Sequence, residues 1–416
     1  MKTAIRCISM ALGLMAIFLM PFESNAQVTA RAMGMGGAYT AVARGVHAAD
    51  WNPANLGFPD NPKFSMSIIS VGLEVSNNAF TKSMYDKYSQ KEVWNESDKA
   101  DIYSSIPDRG LEAGVAATIR MISFSVGKFA LTLGGDLGGY GTIEKSLFDI
   151  LLNGNRIGKN YQFDDFNVDA LTVARLGLSY GEQIPVEFAE IFTVGGSLNL
   201  LYGIQYTKLE QADFNLVFNE FDFAVDGNYE ARMAMGKLGW GLTLGSAAQL
   251  NDRLSVGVRL DNILSHLGWD KHVKQSFGIL SGDSLVLGDF DDSVEDSSWT
   301  QDGQAFSSSL PFRICMGAKY KEGDFMMTAD YIQGFRNIGW SRTRPQLNIG
   351  TEWRKVPWLP LRLGVLLGGR FGYGSSFGLG LRPGGFVWDI AIMNRGFITS
   401  GSSKGLLIAT EFGLEF

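Results

Sequence analysis

Two cysteines and three histidines in 416 residues leave little material for several kinds of chemistry. Cys7 lies ahead of the first apolar run, so a chain that sheds its leader keeps Cys315 alone and can form no intrachain disulfide. No small-residue lipobox precedes Cys7, which sets lipoprotein attachment aside. His47, His266 and His272 stand in no motif, so neither a Ser-His-Asp constellation nor a histidine-rich metal site is expected. The expectation is a protein that is not an enzyme, with no cofactor and no metal. A net charge of -7 and the lack of any basic stretch interleaved with aromatics argue against nucleic acid. Beyond the first 26 residues no run of roughly 18 uncharged apolar residues occurs, which excludes helical membrane spans.

What the chain has is glycine, 51 residues, and 12% aromatics beside only 19% charged residues. The mean hydropathy of +0.03 is too polar for a helical bundle in lipid, and the glycine and aromatic content is high for a soluble enzyme. Lys2 and Arg6, the apolar run from Cys7 to Met20, and the small residues Ser24 and Ala26 before Gln27 read as a secretory leader cleaved after Ala26. That run is short for a bilayer core of about 30 Å, and Pro21 ends it.

The remaining chain alternates. Phe192, Val194, Leu198, Leu200, Tyr202, Ile204 and Tyr206 share one parity, with Thr193, Gly195, Ser197, Asn199, Gly203 and Gln205 on the other. Leu347, Ile349 and Trp353 likewise oppose Gln346, Asn348, Glu352 and Arg354. Only a strand separates faces with period two. About fourteen such segments, most near the length a tilted strand needs to cross lipid, begin at Ser65, Val115, Lys128, Leu171, Phe192, Tyr229, Leu254, Pro311, Asp324, Pro345, Pro360, Ser375, Phe386 and Gly405. A sandwich also alternates, but short turns here take turns with long polar connections over 76–114, 138–170 and 262–310. That asymmetry favours an all-β, up-and-down antiparallel transmembrane β-barrel. The expected division is a leader at 1–26, a hatch segment at 27–63 and a barrel at 64–416. Trp240, Tyr320, Tyr331, Trp353, Trp358 and Trp388 suit interfacial girdles. The last strand ends in Phe416, which resembles the signal read by the bacterial barrel-insertion machinery.

Ahead of the first strand stands Arg31-Ala32-Met33-Gly34-Met35-Gly36-Gly37-Ala38, followed by Trp51-Asn52-Pro53-Ala54. Read from the residues, this is a small-residue coil whose glycines permit close backbone approach and whose Asn-Pro sets a turn. No strand precedes it and no G-x-G-x-x-G spacing exists, so a nucleotide loop is not expected. The segment resembles the opening of the outer-membrane long-chain fatty-acid transporter (FadL-type) superfamily, including the related type IX secretion barrels (PorV/PorQ-like). The likeness is specific over about thirty residues and architectural elsewhere. It implies a fourteen-stranded barrel with this segment folded into the lumen as a hatch, held by Arg31, Gly34, Gly36, Gly37, Trp51, Asn52, Pro53 and Ala54.

The charges that share the inward parity include Arg259, Asp261, Arg313, Lys319, Glu352, Arg354, Arg362, Arg382, Asp389, Glu411 and Glu415. Mixed signs suggest salt-bridged contacts that hold the hatch, and Arg259, Arg313 or Arg362 could instead receive an acidic head group. The acidic run Asp289, Asp291, Asp292, Glu295 and Asp296 reads as a solvated loop, with Ca2+ or lipopolysaccharide bridging as the sharper alternative. His266 and His272, in the same 262–310 loop, read as solvated. Together these features give an expectation of a Gram-negative outer-membrane protein for passive uptake of a hydrophobic or amphipathic small molecule, in contact with lipid and lipopolysaccharide. The competing expectation is a secretion-type shuttle that holds an exported protein through its outer loops.

Overall fold

The structure is a computed structural model, and it describes residues 29–285, 295–337, 341, 343–369, 372–396 and 400–416. The leader at 1–26 and Asp289, Asp291 and Asp292 lie outside the described residues, as do the side chains of Glu295 and Asp296.

Fourteen antiparallel strands close into one barrel. They are β1 (Phe64–Asn77), β2 (Leu111–Arg120 and Ser123–Val126), β3 (Phe129–Ile143), β4 (Asn167–Gln183), β5 (Ile191–Phe218), β6 (Phe223–Gly236 and Leu238–Gln249) and β7 (Leu254–Leu285). There follow β8 (Glu295–Asp302, Phe306–Ser308 and Arg313–Glu322), β9 (Phe325–Gly334), β10 (Gln346–Trp353), β11 (Leu361–Gly368), β12 (Gly372–Leu381), β13 (Phe386–Asn394) and β14 (Gly405–Glu415). The ring is closed by β1 on β14, paired from Ser65 opposite Glu415 to Ser76 opposite Gly405 with one register shift between Ser67 and Ile69. Phe416 extends this seam: its N–H donates to the Phe64 carbonyl at 2.9 Å and its ring stacks on Phe64.

Alternation sorts the two faces. On β11 and β13, Leu363, Ile390 and Ile392 point outward and are exposed, while Arg362, Asp389 and Ala391 are buried inside. The same outward apolar set recurs at Leu73, Val75, Leu178, Leu198, Phe377, Leu406 and Ile408. An apolar belt around the whole wall would be untenable in water and is what lipid requires, and closure leaves no backbone edge unpaired in that medium. The architecture is that of an outer-membrane β-barrel.

At the end that carries both chain ends, short turns such as Gly127-Lys128 and Gly323-Asp324 join the strands. The opposite end carries the larger connections. Helices α3 (Lys82–Tyr88) and α4 (Glu96–Ser105) lie between β1 and β2, and α5 (Lys145–Asn153) with a short strand Asn160–Phe163 lies between β3 and β4. Ahead of the barrel come α1 (Ala30–Gly34), α2 (Val46–Trp51) and a 3-10 turn at Pro53–Gly57.

Two expectations fail here. Residues 262–310 are not one loop: β7 continues to Leu285 and β8 begins at Glu295, so the two build a tall sheet with β5 and β6, whose descending strand starts at Phe223 and not Tyr229. His266 and His272 therefore sit on β7. The alternation that would have revealed this is broken by register shifts at Leu260/Leu264 and Lys271/Lys274, with Asn262 and His272 at φ 52° and 48°. Tyr206 also departs from its assigned face. The β4–β5 ladder skips Ile204, which turns Tyr206 inward against Trp269 and Phe306.

Candidate functional site: a plugged lumen

The leading segment is less of a coil than its composition suggested. Thr29 caps α1 by accepting from the Ala32 N–H at 3.4 Å, and the chain then turns through Gly36 and Gly37 at φ 68° and 86°, left-handed values that suit glycine. After α2, Asn52 accepts from the Ala54 N–H at 3.2 Å while its own amide donates to the Ser246 carbonyl at 3.1 Å. Pro53 opens the 3-10 turn, where its missing N–H is not needed. Trp51 is buried edge-on to Tyr39, 5.4 Å between centroids.

Most of the wall meets this segment through glycine. Gly181, Gly195, Gly245, Gly257, Gly317, Gly350, Gly364 and Gly378, on eight different strands, each face a hatch atom so closely that a Cβ would collide with it. At Gly364 the nearest atom would be the Gly36 nitrogen at 2.0 Å, and at Gly195 the Ala54 nitrogen at 2.5 Å. At Gly181, Gly195, Gly350, Gly364 and Gly378 backbone lies against backbone, while Gly245 and Gly257 leave room for the Asn52 side chain. On β9, Asp330 takes the place of a glycine contact and accepts from the Tyr39 and Thr40 N–H groups at 2.9 and 2.8 Å.

Between β13 and β3, Ala30 and Met33 of the hatch join an apolar cluster with Ala391, Met393, Leu407 and Ala409, and two ion pairs tie the hatch to β2 and β14. Asp50 pairs with Arg120 at 2.8 Å, and Arg120 reaches Asp136 at 2.8 Å. His47 of α2 pairs with Glu411 of β14 at 3.0 Å. Burial works against the charged imidazole, but the adjoining Glu411 carboxylate and its hydrogen bond outweigh that, and the His47 pKa is raised above its usual value.

The sequence-assigned arginines fall into two groups. Arg31 grips Glu352 with both Nε and Nη2, at 3.0 and 3.1 Å, and Arg362 and Arg354 reach the same carboxylate at 2.7 Å. Arg362 continues to Asp389 at 2.5 Å, which also takes Arg382 at 2.6 Å. This cluster lies toward the inner mouth. Arg313 donates to Asp261 from Nε at 3.1 Å, Arg259 sits 3.5 Å from the same carboxylate, and Arg259 also donates to the Asp50 carbonyl. That pair lies on the outward side of the hatch, apart from Arg362.

There a pocket with about 70 Å³ of free volume opens, lined by Met33 and Trp51 of the hatch and by Ile332, Leu366, Met393 and Leu407 of the wall, with Arg259, Arg313 and Arg395 beside them. Arg395 is held by Glu74 at 2.7 Å. Met393 and Leu407 carry no signal in the sequence, because an apolar residue of inward parity looks like an error in the alternation, and Met33 and Arg395 are not among the residues the sequence assigns to the site. A second apolar surface lines the outer lumen on the β4–β8 side, where Leu171, Val173, Leu201, Tyr206, Leu267 and Trp269 pack together.

Residues 53–239 match a family of unknown function (DUF5723). No curated protein matches the chain. Among solved structures, the toluene transporter TodX of P. putida aligns with a TM-score of 0.51 at 14% identity, covering 95% of this chain and 99% of that one. The toluene transporter TbuX of Ralstonia pickettii gives 0.50 at 14% identity with the same coverage. A FadL homologue of Pseudomonas aeruginosa gives 0.52 at 13% identity, covering 95% of this chain and all of that one. What is shared at these identities is the fold of the FadL-type barrels.

Proposed function

We propose that this chain sits in a Gram-negative outer membrane and admits hydrophobic or amphipathic small molecules passively, with the hatch shifting to open a path. The observation that carries the reading is the pocket on the outward face of the hatch, where Met33, Trp51, Leu366, Met393 and Leu407 meet three arginines. A concave apolar site with a few placed polar groups is the general form of a small-molecule site. The apolar cluster around Trp269 supplies a greasy surface on the way in, and the shared fold with two toluene transporters agrees with a hydrophobic cargo.

In this reading residues 1–26 are a leader removed on export, and 27–63 act as the hatch. Phe416 serves as the insertion signal, and lipid with lipopolysaccharide surrounds the wall. Arg259 and Arg313 are both held by Asp261, and Arg259 also by the Asp50 carbonyl of the hatch, so they orient the pocket and meet a polar ligand end when the hatch moves.

The test compares cells with and without the gene for accumulation of toluene and of a long-chain acid at limiting concentration, and measures binding of both to purified protein. Protein-dependent uptake of either compound is the expected result. Equal accumulation in both strains, with no binding, overturns the proposal, and co-purification of an exported protein under those conditions would point to the docking reading.

A further inference from the structure

Beneath the hatch lies a second cavity, separate from the outward pocket and about 450 Å³ in volume. Its walls are Arg31, Val42, Arg44, Asp60 and Pro62 of the leading segment with the inner ends of β8, β9 and β10; of its four carboxylates, Asp60 and Glu352 are taken up by arginines, and Asp324 and Glu415 are exposed to solvent. Lys319 and Lys321 follow Arg313, Cys315 and Gly317 on the inward parity of β8, and both line this space. Neither lysine has a carboxylate within ion-pairing distance among the described residues, whereas nearby cations are spoken for: Arg44 by Asp60 at 2.7 Å, and Arg31 and Arg354 by Glu352. Lys319 is partly buried, and Lys321 is exposed. A partly desolvated ammonium beside other cations favours any anion that can reach it, more than the same group would in open water. Val42, Phe325, Met326 and Pro357 add apolar wall to the same cavity.

We infer that this inner cavity is a binding site for a small organic anion, a carboxylate or phosphate on a compact apolar body, with Lys319 as its principal charge and Lys321 as its neighbour. The site opens on the side of the chain ends, so it is loaded or emptied there and not from the outside. The inference deepens the uptake reading by assigning a charged ligand to the exit side, yet the binding itself can be measured without any transport.

The probes are benzoate and phenyl phosphate, which are water-soluble and do not partition strongly into micelles, with benzyl alcohol as the neutral match. Titration into the full chain in a non-ionic detergent is expected to show binding of both anions that weakens with added salt, and much weaker binding of the alcohol. Lys319→Gln should lower anion affinity by tenfold or more, and Lys319→Arg should restore most of it, with melting temperature unchanged in both. Unchanged affinity in Lys319→Gln, equal binding of benzyl alcohol, or no anion binding by the parent protein overturns the inference. Such a result leaves protein-dependent uptake standing, while loss of uptake with anion binding intact would strike the other proposal alone.

Discussion

At the scale of single residues, the wall contacts divide into glycines that must stay bare and charges that must stay paired. Gly364→Ala places a methyl 2.0 Å from the Gly36 nitrogen, so the hatch must lift or the strand must bend. We expect a loss of about 1–3 kcal/mol and faster proteolysis near Arg31. Gly135→Ala, whose Cβ meets only the Val173 carbonyl at 3.6 Å, serves as the silent control. Glu352→Gln removes the carboxylate partner of Arg31 and one of the two that hold Arg362, whose bond to Asp389 remains, and should cost about 3 kcal/mol, read as a lower unfolding midpoint in urea. His47 gives the hatch a pH dependence. Its pKa is raised on folding, so the ion pair with Glu411 contributes in full below the unfolded value of about 6.5 and is lost as pH rises through the folded value. Limited proteolysis of the hatch should therefore accelerate as pH rises above the unfolded value, and His47→Gln should flatten the profile. An unchanged profile in that variant would remove His47 from the account.

At the scale of elements, strands were legible where they cross lipid, because one face must be apolar and the other must not. The β10 start expected at Pro345 and the β14 start at Gly405 agree with Gln346 and Gly405 to within a residue. The tall sheet was hidden for the complementary reason. Outside lipid neither face is constrained to one polarity, and the bulges near Asn262 and His272 reset the phase that a reader would follow. Gly34, Gly36 and Asn52 of the leading segment lie against wall glycines, but the glycines that receive the segment are scattered over eight strands and signal nothing in isolation. The solvent assigned to the outer face can be tested on one strand. Ile390, outward in the middle of β13, should cost about 2–4 kcal/mol when changed to Arg, measured by refolding into vesicles. A cost near zero would mean that this face never meets hydrocarbon.

At the scale of the whole molecule, the barrel and its plug are separable in chain but not in packing. Removing residues 30–62 deletes every backbone contact along the glycine-lined wall and should turn the protein into a conducting pore in planar bilayers, where the parent chain shows little current. Equal current in the two proteins would mean that the hatch does not control the lumen. The seam between β1 and β14 carries one more consequence. The strand that emerges first from export must wait for the one that emerges last, since each is the hydrogen-bonding partner of the other. Neither can be satisfied while the polypeptide is incomplete, so assembly is necessarily a terminal event, and any truncation short of the final strand leaves two raw edges that invite mispairing with another unfinished copy.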